Sequence, residues 1–134
     1  ITDRIDLANR LELINYQQDN ENSHGLLIYQ DFGYHALDGK TNAFFRYALF
    51  DTDSFESRIY MYENDLLYAF SVPAFFGKGT RIYLLLNREI NRWFEVWLKY
   101  GITVYDDQTS ISSGLNEIEG NKRSDFKIQM RIRF

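Results

Sequence analysis

The sequence holds no cysteine and a single proline, Pro73. Without cysteine, no disulfide and no thiolate metal site can form within it. With one proline, almost every residue keeps the backbone N–H that a β-ladder needs. No run approaches the ~20 apolar residues of a membrane-spanning helix, and no signal-peptide pattern is visible. The lack of such a run does not exclude a transmembrane barrel, whose strands need only ~9–11 residues with alternate ones apolar. Net charge is -4, which gives no support to a general nucleic-acid-binding surface.

Large rings are abundant: 11 Phe and 10 Tyr in 134 residues, with 45% hydrophobic content. The apolar residues are interleaved with charge rather than gathered into blocks. The length suits one domain. No internal repeat, linker or low-complexity segment divides it, so residues 1–134 are read as one unit. The chain begins at Ile1 rather than Met, so the expectation is that an N-terminal part, with any targeting signal, lies elsewhere.

The clearest pattern is the last one. Phe126, Ile128, Met130, Ile132 and Phe134 share one parity; Lys127, Gln129, Arg131 and Arg133 share the other. Successive strand residues point to opposite faces. One face is therefore apolar throughout and the other polar or basic. The expectation is that the apolar face meets lipid; an ordinary strand with one buried face is the alternative.

The same period runs through most of the chain. In residues 4–16, Ile5, Leu7, Leu11 and Leu13 alternate with Asp6, Arg10 and Glu12. Helical spacing through Leu7, Leu11 and Ile14 competes there with fewer matches. Residues 19–25 read as a polar loop. Residues 26–36 and 42–50 are the second and third strands, joined at Asp38-Gly39-Lys40, a hairpin signal. Residues 51–79, with Asp51-Thr52-Asp53-Ser54, Pro73, Gly77 and Gly79, break the rhythm and read as a long excursion. Residues 80–90 and 94–105 alternate again across a turn at Asn91-Arg92. A helix over 84–100 is the competitor. The unbroken period of two from Phe94 to Val104 and the ending Ile-Thr-Val-Tyr favour strand. Residues 106–122 read as a polar loop.

The fold expected is therefore all-β: an antiparallel up-and-down transmembrane β-barrel segment of about six strands, the C-terminal part of a larger barrel. The connections run medium, short, long, short, long, as in outer-membrane barrels with short periplasmic turns and long outer loops. Single-chain barrels of this kind have at least about 8 strands, and an open edge cannot lie in hydrocarbon. The remainder of the same barrel, or other chains, must complete it.

The terminal strand resembles the β-signal by which bacterial outer-membrane proteins are recognised by the barrel-assembly machinery. Phe126, Ile128, Met130, Ile132 and Phe134 carry that resemblance. A longer stretch, Arg46 to Tyr60 with Tyr62-Glu63-Asn64-Asp65 and Tyr68-Ala69-Phe70-Ser71-Val72-Pro73, resembles the C-terminal part of large Bacteroidetes-type outer-membrane proteins. Those are labelled helix-hairpin-helix proteins after an N-terminal module. That module is absent from this sequence, so no nucleic-acid role for this segment is implied.

No Ser-His-Asp, Cys-His or metal constellation can be assembled, and no cofactor is expected. His24 and His35 read as plain surface or lumen residues. Gly77-Lys78-Gly79-Thr80 lacks the spacing and the helix of a phosphate loop. Arg58, Glu63, Asp65 and Arg81 flank or lie within the excursion. They could line a pore or hold a plug by ion pairing, or they could be solvated pairs worth ~0–1 kcal/mol each. Glu95, Lys99, Lys127, Arg131 and Arg133 are the candidate inner wall, expected to hydrate the lumen or to pair across it. Trp93, Tyr100 and Tyr105 could be girdle residues near the membrane interfaces or core aromatics; Trp97 has lumen parity.

These observations lead to a segment of a Gram-negative cell outer-membrane protein with a pore, transport or scaffold role, and no enzyme activity. Its expected partners are outer-membrane lipid and the barrel-assembly machinery. The alternative is a lipocalin-like or fatty-acid-binder-like barrel that holds a small apolar ligand against the same apolar parity.

Overall fold

The computed structural model describes residues 3–18, 21–111 and 118–134. Six long strands form one antiparallel sheet: β1 (Ile5–Gln18), β2 (Glu21–His35), β3 (Thr41–Thr52), β6 (Lys78–Asn91), β7 (Phe94–Tyr105) and β10 (Lys122–Ile132). They pair in the order β1-β2-β3-β6-β7-β10. Two small ribbons lie outside the sheet. One pairs β4 (Ile59–Tyr60) with β5 (Ala74–Phe75); the other pairs β8 (Ser110–Ile111) with β9 (Ile118–Glu119). The all-β, antiparallel, six-strand expectation stands. The sheet does not close: among the described residues β1 and β10 each lack a strand partner on their outer side.

Both helical competitors lose to the period of two. The first strand is Ile5–Gln18, and the 84–100 stretch is the hairpin of β6 and β7. One boundary differs from the expectation. Glu21, Asn22, Ser23 and His24, read as loop, continue β2. They pair with Gln18, Gln17, Tyr16 and Asn15. Local polarity suggested a loop, but a strand partner was available, and ladder bonding outweighs residue preference. The first connection is thus reduced to residues 19–20, outside the described residues, and the expected alternation of loop lengths is weaker. The polar loop at 106–122 contains β8 and β9 and, at 112–117, residues outside the described set.

Register aligns the apolar parities across the whole sheet. Leu7, Phe32, Phe45, Leu84, Tyr100 and Phe126 form one cross-strand row; Ile5, Tyr34, Ala43, Leu86, Leu98 and Ile128 form the next. This face is uncovered. Ile28 is 46% exposed, Phe45 37%, Leu84 40% and Phe126 64%. The opposite face is covered by residues 53–77, which cross it between β3 and β6. There the small core lies: Leu27, Ala48, Phe50 and Tyr105 from the sheet, Ile59, Met61 and Phe75 from the excursion, and Ile111. Phe50 touches both Phe75 (ring centroids 5.1 Å apart) and Tyr105 (5.6 Å). Tyr105, a possible girdle residue from sequence, is therefore a core ring. Tyr100 and Trp93 are exposed, on the sheet's apolar face and at the β6–β7 turn respectively.

The excursion docks where side chains are missing. A methyl group at Gly25 would stand 2.6 Å from the Ser57 carbonyl oxygen, and one at Gly101 would stand 2.5 Å from Arg81 Nη2. Because the obstacle at Gly25 is backbone, Gly25→Ala must push the excursion off the sheet. Overpacking of this kind costs about 1–3 kcal/mol. The expected outcome is a lower unfolding midpoint in urea with an unchanged slope.

Candidate functional site

Below the apolar core, the same face carries a buried ionic cluster. Glu63, on the excursion, is almost fully buried. Its carboxylate accepts two hydrogen bonds from the Arg81 guanidinium of β6, Nε to Oε1 at 2.9 Å and Nη2 to Oε2 at 3.1 Å. Arg81 Nη1 donates to Asp125 Oδ1 of β10 at 2.6 Å and to Thr103 Oγ1 of β7 at 3.3 Å. Lys99 of β7 is equally buried. Its Nζ lies 3.0 Å from Glu63 Oε2 and 3.8 Å from Asp65 Oδ2, without the alignment of a hydrogen bond to either. It also sits 4.8 Å from the centre of the Tyr83 ring. Lys127 of β10 donates to Asp65 Oδ2 at 2.6 Å.

The cluster is electrically balanced. Three carboxylates, Glu63, Asp65 and Asp125, meet three cations, Arg81, Lys99 and Lys127. Balance is what permits burial, since a lone charge in so dry a place would cost several kcal/mol. The members come from four separate segments, so the cluster ties the excursion to β6, β7 and β10 at once. Gly101, between Lys99 and Thr103, leaves the space that the Arg81 guanidinium occupies.

A second buried pair lies one strand away. Arg46 of β3 makes two hydrogen bonds to Asp31 of β2, at 2.5 and 2.6 Å, and a third to the Tyr62 carbonyl of the excursion at 2.5 Å. Its guanidinium rests 3.9 Å above the Tyr29 ring. Tyr83 closes the floor, with its hydroxyl accepting from the Asn64 amide at 3.2 Å.

At the short-turn end of the sheet, a polar belt links all six strands. Asp6 meets His35 Nε2 at 2.8 Å, and His35 Nδ1 meets Asn42 at 2.7 Å. Asn42 donates to Asn87 at 3.2 Å and Asn87 to Glu95 at 2.9 Å. Glu95 accepts from Arg131, and from Arg133 at 3.0 Å. Trp97 is buried beside the belt under the Arg131 guanidinium.

The expected charges thus fall into three places. Glu63, Asp65, Arg81, Lys99 and Lys127 form the cluster; Glu95, Arg131 and Arg133 form one end of the belt. Arg58 joins neither. It stacks on Phe55 and Tyr60 and donates to the Phe55 carbonyl. Of the candidate inner wall, Lys99 is buried under the excursion together with Arg46, Arg81 and Thr103, whereas Glu95, Lys127 and Arg131 are half-buried and Arg133 is exposed. Sequence reasoning passed over Asp31, Arg46, Asp125 and Gly101. All four have lumen parity, the signal that could have found them. His24 and His35 lie at different heights of β2. Among the described residues no group of three or more His, Asp or Glu could hold a metal ion. Phe126, Ile128, Met130, Ile132 and Phe134 all stand exposed on the uncovered side, Phe134 just past the end of β10.

Comparison with known proteins finds no match: no family model, no curated protein and no solved structure.

Two expected outcomes follow from the cluster. Glu63→Gln leaves Arg81 and Lys99 short of a counter-charge in a dry site. Losing one partner of a buried pair costs about 3–5 kcal/mol, to be read as a loss of unfolding free energy in a urea titration. The second concerns acid. Burial alone would push the Asp65 carboxyl up, but the hydrogen bond from Lys127, the Leu66 amide and the nearby Lys99 outweigh it and hold the group below the usual carboxylate range. A depressed carboxyl stabilises the fold fully above its unfolded value of about 3.9. That stability is lost as pH falls through the folded value. Lys127→Met should lower stability at pH 7 and flatten the loss between pH 5 and pH 2, as urea midpoints taken across that range will show.

Proposed function

We propose that this chain is a lipid-facing wall of a Gram-negative outer-membrane β-barrel, with residues 53–77 folded inward as a plug. The carrying observation is the sheet's inverted dress. Its apolar face is uncovered, and the middle of its charged face, at Arg46, Arg81, Lys99 and Thr103, is buried under the excursion. A contiguous apolar surface across six strands is far larger than the few hundred Å² tolerated in water.

The height of that surface suits a bilayer. On β6 the outward positions Thr80, Ile82, Leu84 and Leu86 lie between Lys78 and Arg88. Ten residues at ~3.4 Å make about 34 Å along the strand, or about 25 Å of height at a tilt of ~45°. That is the height of the apolar band of outer-membrane barrels, about 25 Å. On β3 the bounding outward residues are Thr41 and Asp51. Polar interruptions fall in one mid-band row, where Asn9 of β1 faces Gln30 of β2 and Ser124 of β10 faces Ile102 of β7.

Lipid forbids open sheet edges, so β1 and β10 pair with further strands, of the same barrel or of other chains. Phe126, Ile128, Met130, Ile132 and Phe134 serve as the β-signal read by the assembly machinery before closure, when β10 is an edge able to accept a strand. The resemblance to the C-terminal part of Bacteroidetes-type outer-membrane proteins belongs to this proposal. The role is transport or scaffolding rather than catalysis, because the titratable groups that the fold gathers are spent on one another. A barrel binding a small apolar ligand inside would need the apolar parity covered, and here that parity is the exposed one.

Charge placed on the two faces tests the proposal. Leu84→Arg, mid-band on the apolar face, should cost about 2–4 kcal/mol when the intact protein unfolds from lipid or detergent. Ala8→Arg, on the opposite parity of the uncovered β1, should cost below ~1 kcal/mol. Equal costs, or a monodisperse monomer of this chain in plain buffer, would sink the membrane assignment.

A further inference from the structure

The excursion has two sides, and the six-stranded sheet covers one of them. Ser57, Ile59, Met61 and Glu63 are buried against the sheet, while Tyr60 and Tyr62 between them are 55% and 50% exposed. Farther along, Tyr68 and Phe70 are 93% and 80% exposed. Phe70 lies against Tyr62, with ring centroids 5.5 Å apart. An extended segment apolar on both parities has the pattern of a strand covered from both sides. Tyr68 also holds a left-handed backbone, with φ at 63°. Bulky residues rarely take that conformation, and it persists where surroundings impose it. The ionic cluster anchors Glu63 and Asp65 to the sheet; Arg58 meets Tyr60 and Phe70 meets Tyr62, and all four rings remain half exposed or more.

We propose that Tyr60, Tyr62, Tyr68 and Phe70 form an interface with the inner side of the strands that complete the barrel beyond β1 and β10. The excursion then fills the lumen from wall to wall. This rests on the barrel assignment above. The excursion lies on the charged inner face, between two edges that both require partners. Strands added to those edges curve round and bring their inner side over the uncovered rings. The Tyr62 carbonyl, bonded to Arg46, fixes the height of the contact at mid-wall. At that height the added strands carry apolar or small residues inward, where an open pore would carry charge. The barrel is plugged rather than conducting at this level.

The chain has no cysteine, so single cysteines can be read without background. Tyr68→Cys and Phe70→Cys are made in the intact protein, in native outer membranes, and treated with a hydrophilic maleimide small enough to enter a pore. Glu56→Cys, at an exposed position of the excursion, is the reference. Hydroxyl-radical footprinting of Tyr62, Tyr68 and Phe70 in the unsubstituted protein gives the same reading without any substitution. The expected result is labelling at 68 and 70 many-fold slower than at 56, with all three rings protected until urea is added. Labelling at 68 and 70 as fast as at 56, or rings oxidised as readily folded as unfolded, overturns the proposal. So does fast labelling that maltose or another soluble sugar blocks, since the rings would then face a ligand. A heat-dependent gel shift on the same samples separates the two claims. Its loss sinks the barrel assignment and this interface together; its retention with fast labelling sinks the interface alone.

Discussion

The middle of the charged face depends on one buried contact, the Glu63 carboxylate set between the Arg81 guanidinium and the Lys99 ammonium, with Asp125 and Asp65 completing the balance of charge. Neither cation can stay buried without a counter-charge; Asp125 of β10 meets one side of Arg81, but no described sheet residue supplies a carboxylate to Lys99. The carboxylate has to arrive from the excursion. Its arrival brings Asp65 to Lys127, lays Ile59 and Met61 over Leu27 and Phe50, and puts the Tyr62 carbonyl within reach of Arg46. A buried ion pair is weak evidence for net stability, because desolvation offsets much of the attraction. Its stronger consequence here is register. An excursion shifted by one residue would set Tyr62 or Asn64 against two buried cations.

The division of the sheet follows from the same requirement. Strand alternation produces two faces whatever the environment, and the environment decides which is covered. In water the apolar face would be the buried one. Here the charged face is covered because partners for its charges are built into the chain, while the apolar face has none. The two faces also differ in how they tolerate change. Buried charges with fixed partners demand particular residues, whereas outward positions such as Ile82, Leu84 and Leu86 ask only for apolar bulk. Glycine enters on the demanding side, at Gly25 and Gly101, where a backbone or a guanidinium occupies the place of a side chain.

Much of the sheet could be read from the sequence. The period of two in Phe94–Tyr105 and Lys122–Ile132 is a local property, repeated over enough residues to outweigh helical spacing at Trp93 and Trp97. The Asp38-Gly39 turn is local as well, and Gly39 takes the positive φ such turns favour. The start of β2 was not legible, because Glu21 to His24 are strand only through their pairing with Asn15 to Gln18. The cluster was half legible. Lumen parity pointed to Lys99 and Lys127, and the interrupted rhythm pointed to Glu63 and Asp65, but nothing local joins residues from separate segments.

The sequence by itself determined that the chain forms long antiparallel strands with one apolar and one charged face, because alternation is set by backbone geometry and needs no neighbours. Tertiary structure alone decided that the middle of the charged face, at Arg46, Arg81, Lys99 and Thr103, is buried. That outcome requires the excursion, whose Asp65 lies 62 residues before Lys127 of β10, to fold back so that its carboxylates meet Arg81, Lys99 and Lys127. It also decided that Tyr105 is core and Arg58 stands apart from the cluster. Pairings between distant segments leave no periodic trace in the chain, since each partner looks like an ordinary surface charge until the fold brings its counter-charge to it.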